Sequence, residues 1–311
     1  MTGPETGTGT ETGTGAEGFD AEWLALREPV DHASRSEAAL DALLGWRDDR
    51  GPITVRDLGS GTGSNLRFLA PALGGDQTWL LVDNDPVLLG AATERLSDWA
   101  ARNDVRAKIQ GDGLVLSGKT WRAEITTSVC DLNRSPTGPD IAATGGRAPD
   151  LITGAALLDL VSLDWLRSFT DRVRQMRAAV HFTLSYDGVM TFDPDDPADS
   201  LILNGFNTDQ SRDKGLGRAI GPQGAETLAG LLDRAGYEVT TGNSPWRLGP
   251  GNGALGLELV TGVTNAAADA MPGHRDRLTG WLDIWRRRLQ TPEDIASWGI
   301  TIGHLDLTAL P

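Results

Sequence analysis

The sequence contains almost no cysteine: Cys130 is the only one among 311 residues. A single thiol excludes a disulfide within the chain, a zinc site built from several cysteines and a cysteine-ligated iron–sulfur cluster. Cys130 itself is predicted to be a small buried residue. The four histidines lie far apart in sequence and show no metal-ligand spacing, so no bound metal is predicted.

Basic residues are also scarce. The chain has 28 Lys and Arg against 43 Asp and Glu, which gives a formal net charge of −15. Proteins that bind duplex nucleic acid neutralise its phosphates with clustered Lys and Arg, so this charge argues against a nucleic-acid partner. The three arginines at 286–288 are interpreted as a solvated helix face.

Long apolar runs are missing too. No stretch approaches the ~18 apolar residues of a membrane span, and the chain does not open with the charged-then-apolar pattern of a signal peptide. We therefore expect a cytoplasmic protein with no membrane partner. Hydrophobic residues still make up 39% of the sequence, which is enough for a sizeable core.

Composition divides the chain into three parts. Of the first 18 residues, fifteen are Gly, Thr or Glu, so residues 1–18 are predicted to be a disordered tail. Residues 19–50 are predicted to form a helical N-terminal cap, and residues 51–311 a single α/β domain. The connection 186–223 is rich in Asp, Pro and Gly and too long for an ordinary loop, so it is predicted to be a lid-like insertion.

After residue 51, apolar strand patterns alternate with helical ones. This alternation predicts a parallel, doubly wound sheet with helices on both faces. Residues 105–121 are predicted to be an irregular or hairpin insertion. Strands are predicted at 53–58, 78–82, 123–130, 151–154, 179–184, 237–241 and 301–310.

A glycine-rich turn follows the first of these strands. The sequence DLGSGTG at 57–63 has glycines at alternate positions, which allow positive φ and close backbone approach. The next helix begins at once, so its free N–H groups face whatever lies above the turn. Asp83 ends the second strand twenty residues after Gly63, where a carboxylate can accept both hydroxyls of a ribose. The pattern predicts a nucleoside pocket at the carboxyl edge of the sheet.

The glycine spacing argues against a dinucleotide. A pyrophosphate-binding turn has the form G-x-G-x-x-G, whereas this turn reads G-x-G-x-G and carries Asp57 two residues before its first glycine. A carboxylate at that position suits a cationic amino-acid group better than a pyrophosphate.

The turn, together with VDNDP at 82–86, resembles the first two motifs of class I S-adenosylmethionine (SAM)-dependent methyltransferases. The resemblance covers residues 53–241 in the order of elements, including the late helix-to-strand passage LLDRAGYEV at 231–239. It implies a seven-stranded, mostly parallel sheet with an antiparallel last strand, GHLDLTALP at 303–311. It also implies SAM as the cofactor and methyl transfer as the reaction.

The resemblance further implies which residues hold the cofactor. Residues 59–63 would pass under the methionine part, Asp57 would hold its amino group, Asp83 would bind the ribose diol, and Asn84 would lie beside the adenine. The acidic residue that faces the adenine amino group is Asp131 or Asp112, and Asp131 is preferred because the sequence before it is more strand-like. The predicted set is Asp57, Gly59, Ser60, Gly61, Thr62, Gly63, Asp83, Asn84, Asp131, Thr153 and Gly154.

The absence of two known sequence motifs limits the classes of molecule that could accept the methyl group. The fourth predicted strand continues as TGAALL at 153–158 and lacks the (Asp/Asn)-Pro-Pro-aromatic signature of similar enzymes that methylate exocyclic amines of DNA bases. Enzymes that methylate carbon 5 of pyrimidines usually need a cysteine after this strand, and Cys130 lies elsewhere. With the negative charge, these absences indicate a small-molecule acceptor, polar or heteroaromatic, methylated at O or N by in-line displacement.

The carboxyl ends of the parallel strands supply the candidates for the acceptor side. His304 is the predicted general base because histidine titrates near neutrality, and a structural histidine is the alternative. Tyr186 follows the fifth strand and has either a pocket or a packing role. A metal-assisted mechanism through Asp159 and Asp187 is a further alternative.

The substrate-binding candidates are Asn207, Gln210, Lys214, Trp246 and Arg247. The first three lie in a stretch dense in hydrogen-bonding groups, for which a solvated loop is the alternative interpretation. The last two lie at the sheet rim after the sixth predicted strand.

Other functions remain open. One is a SAM-binding protein of the same fold with different chemistry, such as aminopropyl transfer. A methyltransferase acting on a macromolecule and a nicotinamide-dependent oxidoreductase are the others. The sequence favours no particular oligomeric state.

Overall fold

The computed structural model describes residues 20–48, 50–140, 147–291 and 297–311, and the predicted tail at 1–18 lies outside them. The segment predicted as an N-terminal cap holds two helices, α1 (Ala21–Ala33) and α2 (Glu37–Asp48). The later helices are α3 (Ser64–Leu73), α4 (Pro86–Arg102), α5 (Leu163–Met176), α6 (Asp199–Gln210), α7 (Gly224–Arg234), α8 (Gly253–Ala270) and α9 (Arg275–Leu289). Within the described ranges, no helix has both the length and the apolar character required to cross a bilayer.

The strands form one mixed sheet. They are β1 (Ile53–Leu58), β2 (Gly75–Asp83), β3 (Arg106–Gln110), β4 (Gly113–Ser117), β5 (Trp121–Val129), β6 (Leu151–Ala155), β7 (Ala179–Asp193), β8 (Glu238–Asn243), β9 (Trp246–Leu248) and β10 (Gly299–Leu310). Their order is β3-β4-β5-β2-β1-β6-β7-β10-β8, and β9 pairs with β10. Strands β5, β2, β1, β6 and β7 run parallel, whereas β10 is antiparallel to β7 and β8.

The prediction of an α/β sheet with an antiparallel last strand is confirmed, but the count of seven strands is wrong. The sheet has ten strands in the part of the chain that the structure describes. The additional ones are the β3–β4 hairpin, which pairs outside β5, and the three-residue β9. The β3–β4 hairpin lies within residues 105–121, where the sequence predicted an irregular or hairpin insertion, and β9 is too short to show a period.

Helices cover both faces of the parallel strands. On one face α2, α3 and α4 pack over a core that includes Trp79 and Leu81. On the other face α5 and α7 pack over a core that includes Val82 and Ile152. Leu81 and Val82 are neighbours on β2 and point into opposite cores, which explains why this strand reads as a continuous apolar run. Cys130, predicted to be buried, is half-buried at the border of the second core.

A third core lies where β7 extends beyond the parallel sheet. The segment 186–223, predicted as a lid-like insertion, is not a loop over its first residues, because β7 continues to Asp193 and pairs with β10 on both sides of two register shifts. Met190 and Phe192 are buried there under α6, α8 and α9. Gly205 of α6 lets α8 approach closely, since a Cβ at this position would lie 2.7 Å from the Cβ of Ala267.

Candidate functional site

The glycine turn joins β1 to α3 at the carboxyl edge of the sheet. Gly59, Gly61 and Gly63 have φ angles of +62°, +50° and +80°, which place all three in the left-handed region. Side chains are strained there, so the backbone path requires glycine at these alternate positions. The backbone N–H of Ser60 donates to the carbonyl of Val82 at 3.0 Å and fixes the turn to the end of β2.

Asp83 holds the same turn from the end of β2. Its Oδ2 accepts from the N–H of Gly61 at 2.8 Å, and its Oδ1 accepts from the N–H of Asp85 at 3.0 Å. Each carboxylate oxygen has two lone pairs, so each keeps one position for another donor. Asp85 itself caps α4 by accepting from the N–H of Val87 at 2.7 Å. Asp83 can therefore hold a ligand diol and the turn together.

Asp57 is the other carboxyl group below the turn, and it is fully buried. Its Oδ1 accepts from the Nδ2 of Asn65 at 2.8 Å, and that amide also donates to Thr153 Oγ1 at 3.0 Å. Burial raises the pKa of Asp57 to about 7, although Asn65 and the charge of Arg35 counteract part of the effect. Thr153 thus supports Asp57 through Asn65, a residue that was not among the candidates predicted from the sequence.

Several buried polar atoms around the turn have no hydrogen-bond partner within the described residues. They are Asp57 Oδ2, Ser60 Oγ, Thr62 Oγ1 and Asn65 Oδ1. Buried polar atoms are normally paired, so such a concentration at one place indicates a binding site for a polar group. The residues present fit a ligand that brings an amine and hydroxyl groups to a glycine-lined surface.

The adenine candidates lie at the outer part of this edge. Asn84 is exposed beyond Asp83. Asp131 follows β5, and the N–H of Cys130 donates to the carbonyl of Asp83 at 2.8 Å, so Asp131 lies close to the end of β2. Its side chain is 52% exposed and pairs with Arg134 at 3.4 Å.

Two other residues considered for cofactor binding, Asp112 and Gly154, are placed differently from Asn84 and Asp131. Asp112 is exposed in the β3–β4 turn, and that hairpin lies outside β5. Gly154 has a packing role, because a Cβ there would lie 2.7 Å from the Phe182 ring and 2.9 Å from the carbonyl oxygen of Leu58.

Helix α1 closes over the glycine turn. A Cβ on Gly61 would lie 3.1 Å from Leu24 Cδ1 of this helix. Glu28 Oε1 accepts from Arg67 Nε of α3 at 2.6 Å, and His32 Nε2 lies 3.1 Å from Ser64 Oγ. Burial alone would raise the pKa of Glu28, but the hydrogen bond and charge of Arg67 outweigh it and lower that pKa. The cap is therefore fixed to the helix that begins at the turn.

An aromatic cluster lies on the acceptor side. Tyr186 of β7 and His304 of β10 are paired residues, with ring centroids 6.5 Å apart. The His304 ring lies 5.4 Å from Trp246 of β9, and Tyr186 lies 5.4 Å from Phe206 of α6. The structure thus brings together three predicted residues from three strands.

Tyr186 and His304 differ in what they can do with a proton. The Tyr186 hydroxyl donates to Asn207 Oδ1 at 2.8 Å. Burial, helped by the charges of Asp187 and Asp159, raises the Tyr186 pKa, so the phenol stays protonated. Burial, helped by the charge of Arg27, lowers the His304 pKa to about 3, so the imidazole is neutral at pH 7.

Trp246 connects the aromatic cluster to the cap. Its Nε1 donates to Asp31 Oδ1 of α1 at 3.0 Å. Arg27 pairs with Asp31 at 2.9 Å and places its guanidinium 5.0 Å from the centre of the Trp246 ring. Arg247 is the exposed middle residue of β9, between the buried Trp246 and Leu248. It therefore lies on the opposite face of the strand from Trp246 and outside the aromatic cluster.

Asp159, after β6, is a buried acid beside this cluster. Its Oδ1 has no hydrogen-bond partner in the described part of the chain. Burial raises its pKa to about 6, although the charges of Arg27 and Lys214 oppose the shift. The sequence suggested a role for Asp159 only as a metal ligand, and the described residues contain no group of three or more His, Cys, Asp or Glu side chains that could hold a metal ion.

The remaining substrate candidates belong to α6 and the segment after it. Gln210 is buried, and its Oε1 has no hydrogen-bond partner among the described residues. Lys214 pairs with Asp209 at 2.8 Å. Asn207, the partner of Tyr186, also lines an open groove of about 1000 Å³ bordered by Arg212. The groove therefore reaches the residue that holds the Tyr186 hydroxyl.

No protein-family model and no curated protein matches the sequence. Among solved structures, the chain is similar to a cyclopropane-fatty-acyl-phospholipid synthase-like protein from Lactobacillus casei ATCC 334, with a TM-score of 0.50 and 15% identity over 93% of this chain and 94% of that one. A fainter likeness, with a TM-score of 0.44 and 10% identity over 93% and 94% of the chains, links it to the cyclopropane synthase MmaA2 from Mycobacterium tuberculosis. The first of these shows a shared fold over nearly the whole of both chains.

Proposed function

We propose that the chain is a SAM-dependent methyltransferase that methylates an O or N atom of a small polar or heteroaromatic molecule. The observation that carries this proposal is the pair of buried carboxyl groups, Asp57 and Asp83, on either side of the glycine turn. Each has acceptor capacity that the described protein groups do not use. A cationic amine and a ribose diol are the donors that such a pair suits.

Each residue at the turn would bind a different part of the cofactor. Asp57 would accept from the ammonium group, Asp83 from the ribose hydroxyls, and the backbone of residues 59–63 would approach the thioether chain. Asp131 would accept from the adenine amino group, which its position beside the end of β2 supports better than the position of Asp112 in the outer hairpin. When bound, SAM supplies an electrophilic methyl group on a sulfonium.

Transfer of that methyl requires alignment of the acceptor and exclusion of water more than any particular catalytic side chain. Tyr186, Trp246 and His304 supply an apolar, largely buried wall for a flat acceptor. The buried atoms without partners on this side, Asp159 Oδ1, Gln210 Oε1 and His304 Nδ1, can all accept hydrogen bonds. An acceptor that carries O–H or N–H groups satisfies them.

A protonated acceptor also needs a base. Tyr186 keeps its own proton and donates to Asn207, so it positions the acceptor rather than deprotonating it. The neutral His304 imidazole holds a proton weakly, because its pKa is about 3. Asp159, with a pKa of about 6, is the stronger base of the two and is still ionised at neutral pH. We therefore assign proton removal to Asp159 and acceptor positioning to His304.

The test uses SAM labelled in the methyl group and a panel of phenols, N-heterocycles and polar amines. We expect label in a small molecule together with an equal amount of S-adenosylhomocysteine. Release of methylthioadenosine instead would indicate aminopropyl transfer. Label in added protein or RNA, but in no small acceptor, would contradict the assigned substrate class.

A further inference from the structure

Arg35 is a charged residue of the cap that the proposed function does not yet use. It lies in the short connection between α1 and α2. One Nη donates to Thr183 Oγ1 of β7, and the guanidinium stacks over the Phe68 ring of α3 at 5.1 Å. Its Nε is buried and has no hydrogen-bond partner in the described ranges, although the residue as a whole is half-buried. The guanidinium therefore lies between α3 and the sheet, with donors to spare.

Two of the three carboxylates around Arg35 are engaged elsewhere. Asp306, Asp31 and Asp57 all act on its charge, but none forms an ion pair with it within 4.0 Å in the described chain. Asp31 pairs with Arg27. Asp306 accepts from two backbone N–H groups at 2.9 and 2.7 Å and from a serine hydroxyl at 2.5 Å. A guanidinium is always charged, and a desolvated one without an anion is costly, so the site favours an anionic ligand group.

Asp57 supplies the opposite charge in the same neighbourhood. Its Oδ2 has no partner among the described residues, and the charge of Arg35 lowers its pKa. The two groups are close enough to interact and too far apart to pair with each other. A cation and an anion placed in this way match the two ends of an α-amino-acid zwitterion.

We propose that Arg35 binds the α-carboxylate at the methionyl end of the cofactor, while Asp57 accepts from the α-ammonium. This inference rests on the proposed function and adds the residue that recognises the amino-acid end. It makes the connection between the two cap helices part of the cofactor site.

The test compares two ligands that differ only at this end. S-Adenosylhomocysteine carries the amino acid, whereas methylthioadenosine has the same nucleoside and thioether without it. Both are titrated calorimetrically into wild type, Arg35→Gln and Arg35→Lys at mildly alkaline pH, where Asp57 is ionised. Arg50→Gln is the matched control for lost charge, because Arg50 is an exposed cap arginine stacked on Trp46.

We expect Arg35→Gln to weaken S-adenosylhomocysteine about 10- to 100-fold, the range for a charged hydrogen-bonded pair. Methylthioadenosine should change less than about twofold in every variant. Arg35→Lys should keep part of the preference for S-adenosylhomocysteine over methylthioadenosine, because lysine retains the positive charge but lacks the paired N–H donors of a guanidinium. It also serves as the second variant if Arg35→Gln fails to fold.

Four results would contradict the proposal. In Arg35→Gln, unchanged binding of S-adenosylhomocysteine or an equal loss for both ligands would exclude carboxylate recognition and leave the proposed function intact. If Arg35→Gln does not fold, the proposal would be contradicted by an Arg35→Lys variant that prefers S-adenosylhomocysteine over methylthioadenosine as strongly as wild type does. Binding of neither ligand to wild type would overturn the proposed function, and this inference with it.

Discussion

Asp57 combines burial with an open acceptor atom, and this combination makes its ionisation pH-sensitive. Burial raises its pKa to about 7, well above the value of an aspartate in an unfolded chain. Between those two values the folded protein holds the proton and the unfolded chain releases it. The Asp57 contribution to stability of the ligand-free protein therefore falls as pH rises through this window.

Ligand binding should show the opposite trend. Only the ionised Asp57 pairs with an ammonium group, so the affinity for S-adenosylhomocysteine should rise about tenfold per pH unit below pH 7 and level off above it. Asp57→Asn should bind weakly with little pH dependence, whereas Asp85→Asn, at the adjacent helix cap, should keep the wild-type profile. Calorimetry across this pH range measures the trend. Wild-type affinity independent of pH would exclude ammonium recognition by Asp57.

The glycine turn requires its positive φ angles more than it requires space. Gly61→Ala puts a side chain at φ +50° and a Cβ 3.1 Å from the flexible end of Leu24. We expect a loss of about 1–2 kcal/mol in unfolding free energy, together with weaker ligand binding. Gly90→Ala is the control, because Gly90 lies within α4 with nothing near its missing Cβ.

That control should stabilise the protein by about 0.5–1 kcal/mol, since alanine favours a helix. Urea denaturation of both variants measures the difference. Equal effects of the two substitutions would show that the turn is not held in its left-handed geometry.

The attachment of the cap depends on the ion pair between α1 and α3. The Arg67 side chain is 4% exposed and that of Glu28 18% exposed, so Glu28→Gln leaves a buried guanidinium without its anion. We expect a loss of about 3 kcal/mol. The matched control is Glu124→Gln, which breaks the exposed pair with Arg122 and should cost less than about 1 kcal/mol.

The same pair has a predictable pH dependence. The pKa of Glu28 is lowered in the folded protein, so its contribution is present above the usual glutamate pKa and is lost as pH falls through the lowered value. The difference in unfolding free energy between Glu28→Gln and wild type should shrink in acid. A difference that is constant down to strongly acidic pH would assign the effect to packing instead of charge.

Elements with local signals were predictable from the sequence. The apolar strands β1 and β2 and the glycine turn all depend on neighbouring residues and lie where they were expected. The extension of β7 was not predictable, because Leu184 and Gly188 have positive φ and the sequence there is typical of a turn. Pairing with the distant β10 overrides that local preference.

The residues of the candidate site also divide into those that a local sequence pattern marks and those that only tertiary contacts place. Asp57, Asp83 and the glycines have a local pattern, whereas Arg35 and Asn65 act through tertiary contacts. Arg35 reaches Thr183, which is 148 positions away in sequence. No short-range pattern marks such a contact, so only the folded chain reveals it.

At the scale of the whole molecule, helix α1 connects the candidate cofactor site to the rest of the fold. Helix α1 contacts the glycine turn through Leu24, the third core through Trp23 and Leu26, and Trp246 through Asp31. A bound cofactor should therefore stabilise the entire fold. At a concentration about 100-fold above its Kd, S-adenosylhomocysteine should add about 2.7 kcal/mol and raise Tm by several degrees.

Thermal unfolding with each ligand separates this account from a dinucleotide site. NADH at the same concentration should leave Tm unchanged. A rise in Tm with NADH and none with S-adenosylhomocysteine would favour an oxidoreductase of the same general fold.

The central claim is that Asp83 and the glycine turn bind the nucleoside of SAM, and calorimetric titration of S-adenosylhomocysteine into wild type, Asp83→Ala and Asp85→Ala tests it most directly. Asp85→Ala removes only the cap of α4 and should lower stability by about 1 kcal/mol without changing affinity. Asp83→Ala removes the acceptor for the ribose and should weaken binding about tenfold or more. Equal binding by wild type and Asp83→Ala, or no binding to wild type, would contradict the account.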